Sequence, residues 1–356
     1  MTSALRRSAP DARLLRAGRC GYLQPEKDWG GGLRMGLEDA RDDVDGAFTR
    51  LSLKGLSFEN PFAGAPSFLR RRYTKDLTGA DLAITGIPFD QGVTHRPGTR
   101  FGPRAIREAS TLQAGDPPWG WGFSLLEDFA LADYGDMALD YANPSETPAL
   151  IEAHISGIVA AGVPPVVLGG DHSVTLGVLR ALCARHGPLS IIQFDAHTDL
   201  WPDSDPSRVD HGTFLGKALA EGLIEAAHSV QVGLRVETPE APDLPQIPAR
   251  LVHGRGPDWV AARIRDIVKD RPCYISFDID ALDPAFAPGT GTPVWGGLAS
   301  WQAAAILRDL AGLDLRGGDV VEVSPPYDQA AITAVAGAHV AVDLCCLCLW
   351  NRRPGR

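Results

Sequence analysis

The chain has 356 residues, 44% of them hydrophobic, enough for one large α/β domain with a sizeable core. A formal net charge of −10 argues against nucleic acid as a partner and suits bound metal or a cationic substrate instead. No apolar run approaches the roughly 20 residues needed to span a bilayer, and no secretory apolar core follows the start, so no membrane is expected and the cytoplasm is the default compartment.

Residues 1–60 differ from the rest. They open Arg-rich, faintly like an organelle transit peptide, and carry the acidic stretch Glu38–Asp45. Their apolar spacing is weak, which predicts a partly ordered N-terminal extension followed by one folded domain over 61–356. From about residue 65 the pattern is regular. Short apolar runs predict strands at 81–87, 129–135, 164–170, 189–195, 229–234, 250–254, 273–279 and 319–324. Between them, helices are predicted at 103–112, 146–161, 174–186, 214–222, 257–269, 299–311 and 330–346. The alternation implies βαβ units, hence an α/β fold of three layers, α/β/α, around a mostly parallel central sheet of about eight strands. Cys345, Cys346 and Cys348 cluster in LCCLCLW; with no CxxC pair or nearby His, they read as buried apolar groups on a last helix or strand.

Three blocks sit at the carboxyl ends of predicted strands: GGDHS at 169–173, DAHTD at 195–199 and SFDID at 276–280. In open α/β sheets that rim is where sites form. A lone DxD is usually a loop turn, and a lone His after GGD can cap the next helix. Three such blocks in one chain point to one site. Residues two apart in a strand face the same way, so Asp195, His197 and Asp199 share a side if the chain stays extended, as do Asp278 and Asp280. With His172 they make two imidazoles and four carboxylates, too much ligating capacity for one ion. They suit a pair of hard divalent cations bridged by carboxylate and water, which is the equipment of an enzyme that makes hydroxide at neutral pH.

These blocks resemble the signatures of the ureohydrolase family, which contains arginase and agmatinase. The similarity extends to GIPFDQGVTHRPGTRFGPRAIREAS (86–110), DHGTFLGKALAEGLIEAAHSVQVGLR (210–235) and VVEVSPPYDQAAITAVAG (320–337), and covers about residues 65–350. RPGTRFGPRAIR, DHGTF and EVSPPYDQ read most like bacterial agmatinases. The resemblance implies an arginase-like fold, a homotrimer or homohexamer, and two Mn²⁺ per chain, with Ni²⁺ as the alternative. It assigns one ion to His172, Asp195, Asp199 and Asp278, and the other to Asp195, His197, Asp278 and Asp280, with Asp195 and Asp278 bridging.

The implied substrate is a small cationic guanidino compound. A guanidinium is planar and almost always protonated, and a carboxylate holds it best, in bidentate fashion. Glu322, in EVSPPYD, matches the family's guanidinium-binding glutamate. The leaving amine needs a proton, and His211 in VDHGT matches the family's proton shuttle; imidazole titrates near neutrality. His95 in GVTHRPG is a further candidate for substrate contact, and GTGTPVWGG (289–297) for the pocket wall. Trp119, Trp121 and Trp201 are candidates for the entrance. Asp203 and Asp205 lie in the segment before His211, where they suit a distal ammonium; Arg208 or His95 would suit a distal carboxylate. The reading is hydrolysis of agmatine to putrescine and urea. Alternatives are guanidinobutyrate, guanidinopropionate or guanidine as substrate, a metal-dependent amide deacetylase of related fold, or a non-catalytic binding member.

Overall fold

The computed structural model describes residues 45–57, 59–113, 115–203, 205, 207–238 and 244–355. Most of the predicted extension, including Cys20 and Glu38, lies outside them. The described part of it is tied to the rest of the chain. The Asp45 carboxylate accepts the Ala65 N–H at 2.7 Å, and the Gly55 carbonyl accepts the Arg71 guanidinium at 2.8 Å.

In chain order the elements are α1 (Gly46–Thr49), β1 (Leu82–Gly86), α2 (Gly102–Ser110), α3 (Leu125–Asp128), β2 (Leu131–Asp136), α4 (Thr147–Ala160), β3 (Pro165–Leu168), α5 (Val174–His186) and β4 (Ser190–Phe194). Then come α6 (Phe214–Ala220), β5 (Val230–Val232), β6 (Gln246–Ile247), α7 (Ala249–Arg255), α8 (Pro257–Val268), β7 (Pro272–Asp278), α9 (Ser300–Asp309), β8 (Asp314–Val321) and α10 (Ile332–Leu349). The sheet has eight strands in the order β2-β1-β3-β8-β7-β4-β5-β6, and every adjacent pair is parallel.

Alternate residues of the strands feed two separate cores. Leu82, Ile84, Ile192, Phe194, Ile275, Phe277 and Val320 pack under α2, α8, α9 and α10. Ala83, Val167, Ile191, Tyr274 and Val321 pack under α4, α5 and α6. Helices thus cover both faces, which is why the strands read as continuous apolar runs.

Two expectations are corrected. Residues 250–254 are not a strand: they lie in α7, and the sheet's edge strand is Gln246–Ile247 just before it. Pro248 lies between the two. It has no N–H to give a strand ladder, and its carbonyl takes the Leu251 and Val252 N–H groups. The buried Ala249 and Val252 are then three apart, a helical spacing that the segment 250–254 by itself does not contain. Second, α10 is long and apolar enough to cross a bilayer. In the fold it is a core helix. Cys345, Cys346 and Cys348 are buried along it as apolar groups.

One charge in that helix is out of place. Asp343 is buried, its Oδ1 accepting from Trp121 Nε1 at 2.8 Å, and burial pushes its carboxyl up to about 6. A carboxyl raised above its unfolded value costs stability as pH climbs from about 4 through 6, and the cost stays constant above that. Asp343→Asn keeps the acceptor and removes the charge. It is expected to raise unfolding stability by about 1–3 kcal/mol at pH 8 and by little at pH 4, checked by denaturant titration at both pH values.

Candidate metal centre

The carboxyl ends of β3, β4, β7 and β8 are adjacent in the sheet, and each delivers part of one polar cluster. After β3 the chain makes a tight approach at Gly170, where any side chain would collide with the Phe89 carbonyl. His172 follows, fully buried, its ring stacked on Phe214 at 4.3 Å. Its Nε2 lies 2.8 Å from Ser276 Oγ, and Ser276 in turn donates to Asp319 at 2.7 Å. Because Asp319 only accepts, this chain leaves Nε2 protonated and presents the Nδ1 lone pair to the site.

Nδ1 faces three carboxylate oxygens: Asp199 Oδ2 at 2.9 Å, Asp195 Oδ2 at 3.1 Å and Asp278 Oδ2 at 3.2 Å. None is in hydrogen-bonding geometry, so Nδ1 is a buried nitrogen without a hydrogen bond. On the other side, His197 Nδ1 lies 3.0 Å from Asp280 Oδ2 and 3.5 Å from Asp195 Oδ1. Asp195 therefore belongs to both groups, one oxygen to each. The two groups, His172–Asp195–Asp199 and Asp195–His197–Asp280, each converge tightly enough to hold a metal ion.

The expected sharing of sides is achieved, but not by extended chain. β4 ends at Phe194 and β7 at Asp278. Each then turns in the same way. Asp195 Oδ1 accepts the His197 N–H at 2.7 Å, and Asp278 Oδ1 accepts the Asp280 N–H at 2.8 Å. In both cases the turn occupies Oδ1 and leaves Oδ2 toward His172. Asp199 reaches the cluster through a left-handed backbone, φ 52°, which aspartate tolerates better than most residues.

The charge distribution tests whether cations fit. Burial, then repulsion from Asp195, pushes Asp199 up to about 7; burial and Asp280 hold Asp278 well above the ordinary carboxylate range. Burial opposes charging His197, yet Asp280 and Asp195 push it up to about 12. Protons are being held in the cluster by its surplus of negative charge. A pair of hard divalent cations relieves the same surplus, and the donor set, carboxylate oxygens and imidazole nitrogens, is the one such ions take.

Beside this cluster sits Glu322, at the end of β8 with φ 63°. Its Oε1 accepts the His172 backbone N–H at 2.9 Å and lies 2.8 Å from His211 Nδ1; its Oε2 is buried without a partner. Burial disfavours the charged His211 ring, but Glu322 outweighs it and pushes the imidazole up to about 10. The Nε2 of His211 is 2.9 Å from Thr94 Oγ1 and takes the Thr94 N–H at 3.2 Å. The Thr94 loop is pinned by Asp90, which accepts from Gly98 N, and by Asp171, which accepts from Gly92 N.

A cavity of about 460 Å³ opens over the cluster, lined by Thr94, His197, Asp199, Trp201, His211 and Thr292 among others. His95 is exposed and is not one of the lining residues; its neighbour Thr94 takes that place. Of the three tryptophans, Trp201 lines the cavity, Trp119 is exposed elsewhere, and Trp121 is buried against Phe123 and Trp350. Asp203 pairs with Lys217, and Arg208 with Asp210. Ser276, Asp319, Thr94 and Asp171 were not singled out from sequence. The signal for the first two was a polar residue inside an apolar strand.

The arginase family model matches residues 80–346. The chain is 49% identical over 305 residues to an agmatinase of Chromobacterium violaceum, covering 85% of this chain and 94% of that protein. Among solved structures it resembles a hypothetical agmatinase from Burkholderia thailandensis, with a TM-score of 0.84 and 48% identity over 85% of this chain and 97% of the other. It also resembles proclavaminate amidino hydrolase from Streptomyces clavuligerus, with a TM-score of 0.77 and 35% identity over 82% and 99% of the two chains.

Sharing of Asp195 makes a prediction. Asp195→Ala is expected to weaken both metal sites, and Asp199→Ala only the one with His172, each by more than the roughly 10–100-fold that loss of a supporting partner costs. Metal per chain after desalting from Mn²⁺, measured by elemental analysis, checks this; equal losses in the two variants would contradict it.

Proposed function

The chain belongs to the arginase family and is a hydrolase of the ureohydrolase kind, and from that premise we propose that it uses two Mn²⁺ ions to hydrolyse agmatine to putrescine and urea. The observation that carries the proposal is the conjunction of two clusters sharing Asp195 with a buried carboxylate oxygen, Glu322 Oε2, that has no hydrogen-bond partner among the described residues.

In this reading His172, Asp195, Asp199, Asp278, His197 and Asp280 hold the two ions, with Ni²⁺ the alternative to Mn²⁺. When bound, such a pair supplies a water-derived nucleophile at neutral pH. The rest is work for the chain's own groups. Glu322 neutralises and orients the substrate guanidinium, using the oxygen that has no other partner. Glu322 raises His211 to about 10 and the ring turns Nδ1 toward Glu322 Oε1, so His211 is the group that carries a proton for the departing amine. Thr94 holds the outward nitrogen of His211 at the cavity wall. His95 stands next to it in the same loop and is proposed to meet substrate at the mouth rather than inside.

The tail of the substrate is read from the cavity wall. Among its described lining residues the one guanidinium is Arg208, which is already paired with Asp210 at 2.7 Å. A carboxylate tail would have to compete with Asp210 for Arg208; an ammonium tail can rest on the half-exposed ring of Trp201. This favours agmatine over guanidinobutyrate and guanidinopropionate. Assembly as a homotrimer or homohexamer in the cytoplasm belongs to the same proposal and rests on family resemblance alone.

Two measurements test it. Urea release should be fastest from agmatine in a panel with arginine, guanidinobutyrate, guanidinopropionate and guanidine; preference for an acid-tailed compound would overturn the tail assignment. Glu322→Gln should retain both metals while kcat/KM for agmatine falls by at least about 100-fold, the scale of losing one charge placed against the reacting group. Near-normal turnover would show that another residue holds the cation.

A further inference from the structure

Five strands carry a polar side chain at the same level of the sheet, one layer beneath the ligands. Register pairs Asp319 of β8 with Ser276 of β7, Ser276 with Gln193 of β4, Gln193 with Gln231 of β5, and Gln231 with Gln246 of β6. All but Gln246 are fully buried. Their strand neighbours, Ile192, Phe194, Val230, Val232, Ile275 and Phe277, are apolar core. Nothing in the packing of a parallel sheet calls for two fully buried glutamines side by side, leading to a third at the exposed edge. Leucine would serve the core better.

The row divides into two arms. Asp319 and Ser276 orient His172, as described above. The glutamines run the other way. Gln246 Nε2 donates to Gln231 Oε1 at 3.1 Å, Gln231 Nε2 to Gln193 Oε1 at 2.8 Å, and Gln193 Nε2 to Asp195 Oδ2 at 2.7 Å. Direction is dictated by the ends. Asp195 only accepts, so Gln193 must present its amide nitrogen there and its oxygen to Gln231. Gln231 must answer with its own nitrogen, which also donates to the Thr198 carbonyl at 2.7 Å. Its oxygen is then left for Gln246 at the solvent edge. Every amide dipole points its positive end toward Asp195, and such chains strengthen one another.

We infer that Gln193, Gln231 and Gln246 form a polar relay that positions Asp195 for metal, with Gln193 as the residue that selects its orientation. Asp195 Oδ1 is held by the His197 N–H and Oδ2 by Gln193, so the carboxylate plane is fixed from both sides. This is the ligand common to both clusters, so tilting it degrades both. Gln193 also lies 3.5 Å from Asp199 Oδ2, keeping the second carboxylate within reach. These are positioning residues and touch no substrate. The inference rests on the metal reading above.

The experiment compares wild-type protein, Gln193→Leu, Gln246→Leu, the double variant and Gln193→His, which retains an N–H donor. Mn²⁺ affinity is measured by chelator competition, with the melting temperature of the metal-free proteins alongside. Gln193→Leu should weaken Mn²⁺ binding about tenfold or more, and Gln193→His should recover part of that. Gln246→Leu, at the solvent edge, should weaken it by about twofold, and the double variant should be no worse than Gln193→Leu alone, because the relay is already cut. Affinity within twofold of wild type for a folded Gln193→Leu overturns the relay, as does a strictly additive double variant. A change confined to the metal-free melting temperature also overturns it, since that is the signature of a purely structural row. If wild-type protein itself takes up no Mn²⁺ or Ni²⁺, the metal reading fails and the relay with it; a wild type that loads two ions and a Gln193→Leu that loads them equally well sinks the relay alone.

Discussion

Four buried carboxylates around two imidazoles are a concentration of charge that an ordinary core does not carry. Buried acids usually neutralise themselves by taking up protons, and here Asp199 and Asp278 are pushed in that direction. The rest of the molecule is arranged to keep the cluster assembled regardless. An all-parallel sheet brings four strand ends side by side, matched turns aim Oδ2 of both Asp195 and Asp278 at His172, and Ser276 with Asp319 dictates which imidazole nitrogen is presented. None of these features improves packing. They hold negative charge in place for a positive partner.

A second device couples this cluster to His211. Glu322 accepts from the His172 backbone and from His211 through one oxygen. Its left-handed backbone, uncommon for a glutamate, is the local cost of turning that side chain inward at the end of β8. Through it the position of His211 depends on the turn after β3 that carries His172. The Thr94 loop adds a restraint on the other ring nitrogen, so the imidazole is held from both faces before any substrate arrives.

Much of this is legible in the sequence because the clustered residues travel in short blocks at strand ends, where spacing and residue type speak together. His172, Asp195, His197, Asp199, Asp278 and Asp280 all stand in such blocks, and the fold follows from the alternation of apolar runs. What was not legible depended on partners distant in the chain. Gln193, Gln231 and Gln246 are each a lone polar residue in an apolar run, and only strand register aligns them. Residues 250–254 looked like a strand because five residues cannot distinguish a period of two from one of 3.6. Asp199 meets Asp195 and His172 through a left-handed turn, which sequence spacing does not report. Trp121 was placed near the entrance by its setting among glycines and aromatics, a composition that served packing instead.

The helix α10 carries a consequence for how the protein is made. It is an apolar segment long enough to enter a bilayer, and in the fold it covers β1, β3 and β8, the middle of the sheet. Synthesis runs from the amino end, so all eight strands leave the ribosome before the helix that seals them. Until α10 docks, the apolar patch it covers on its face of the sheet stays open although α2, α8 and α9 are already made, so this core closes last, on the arrival of the carboxyl-terminal helix.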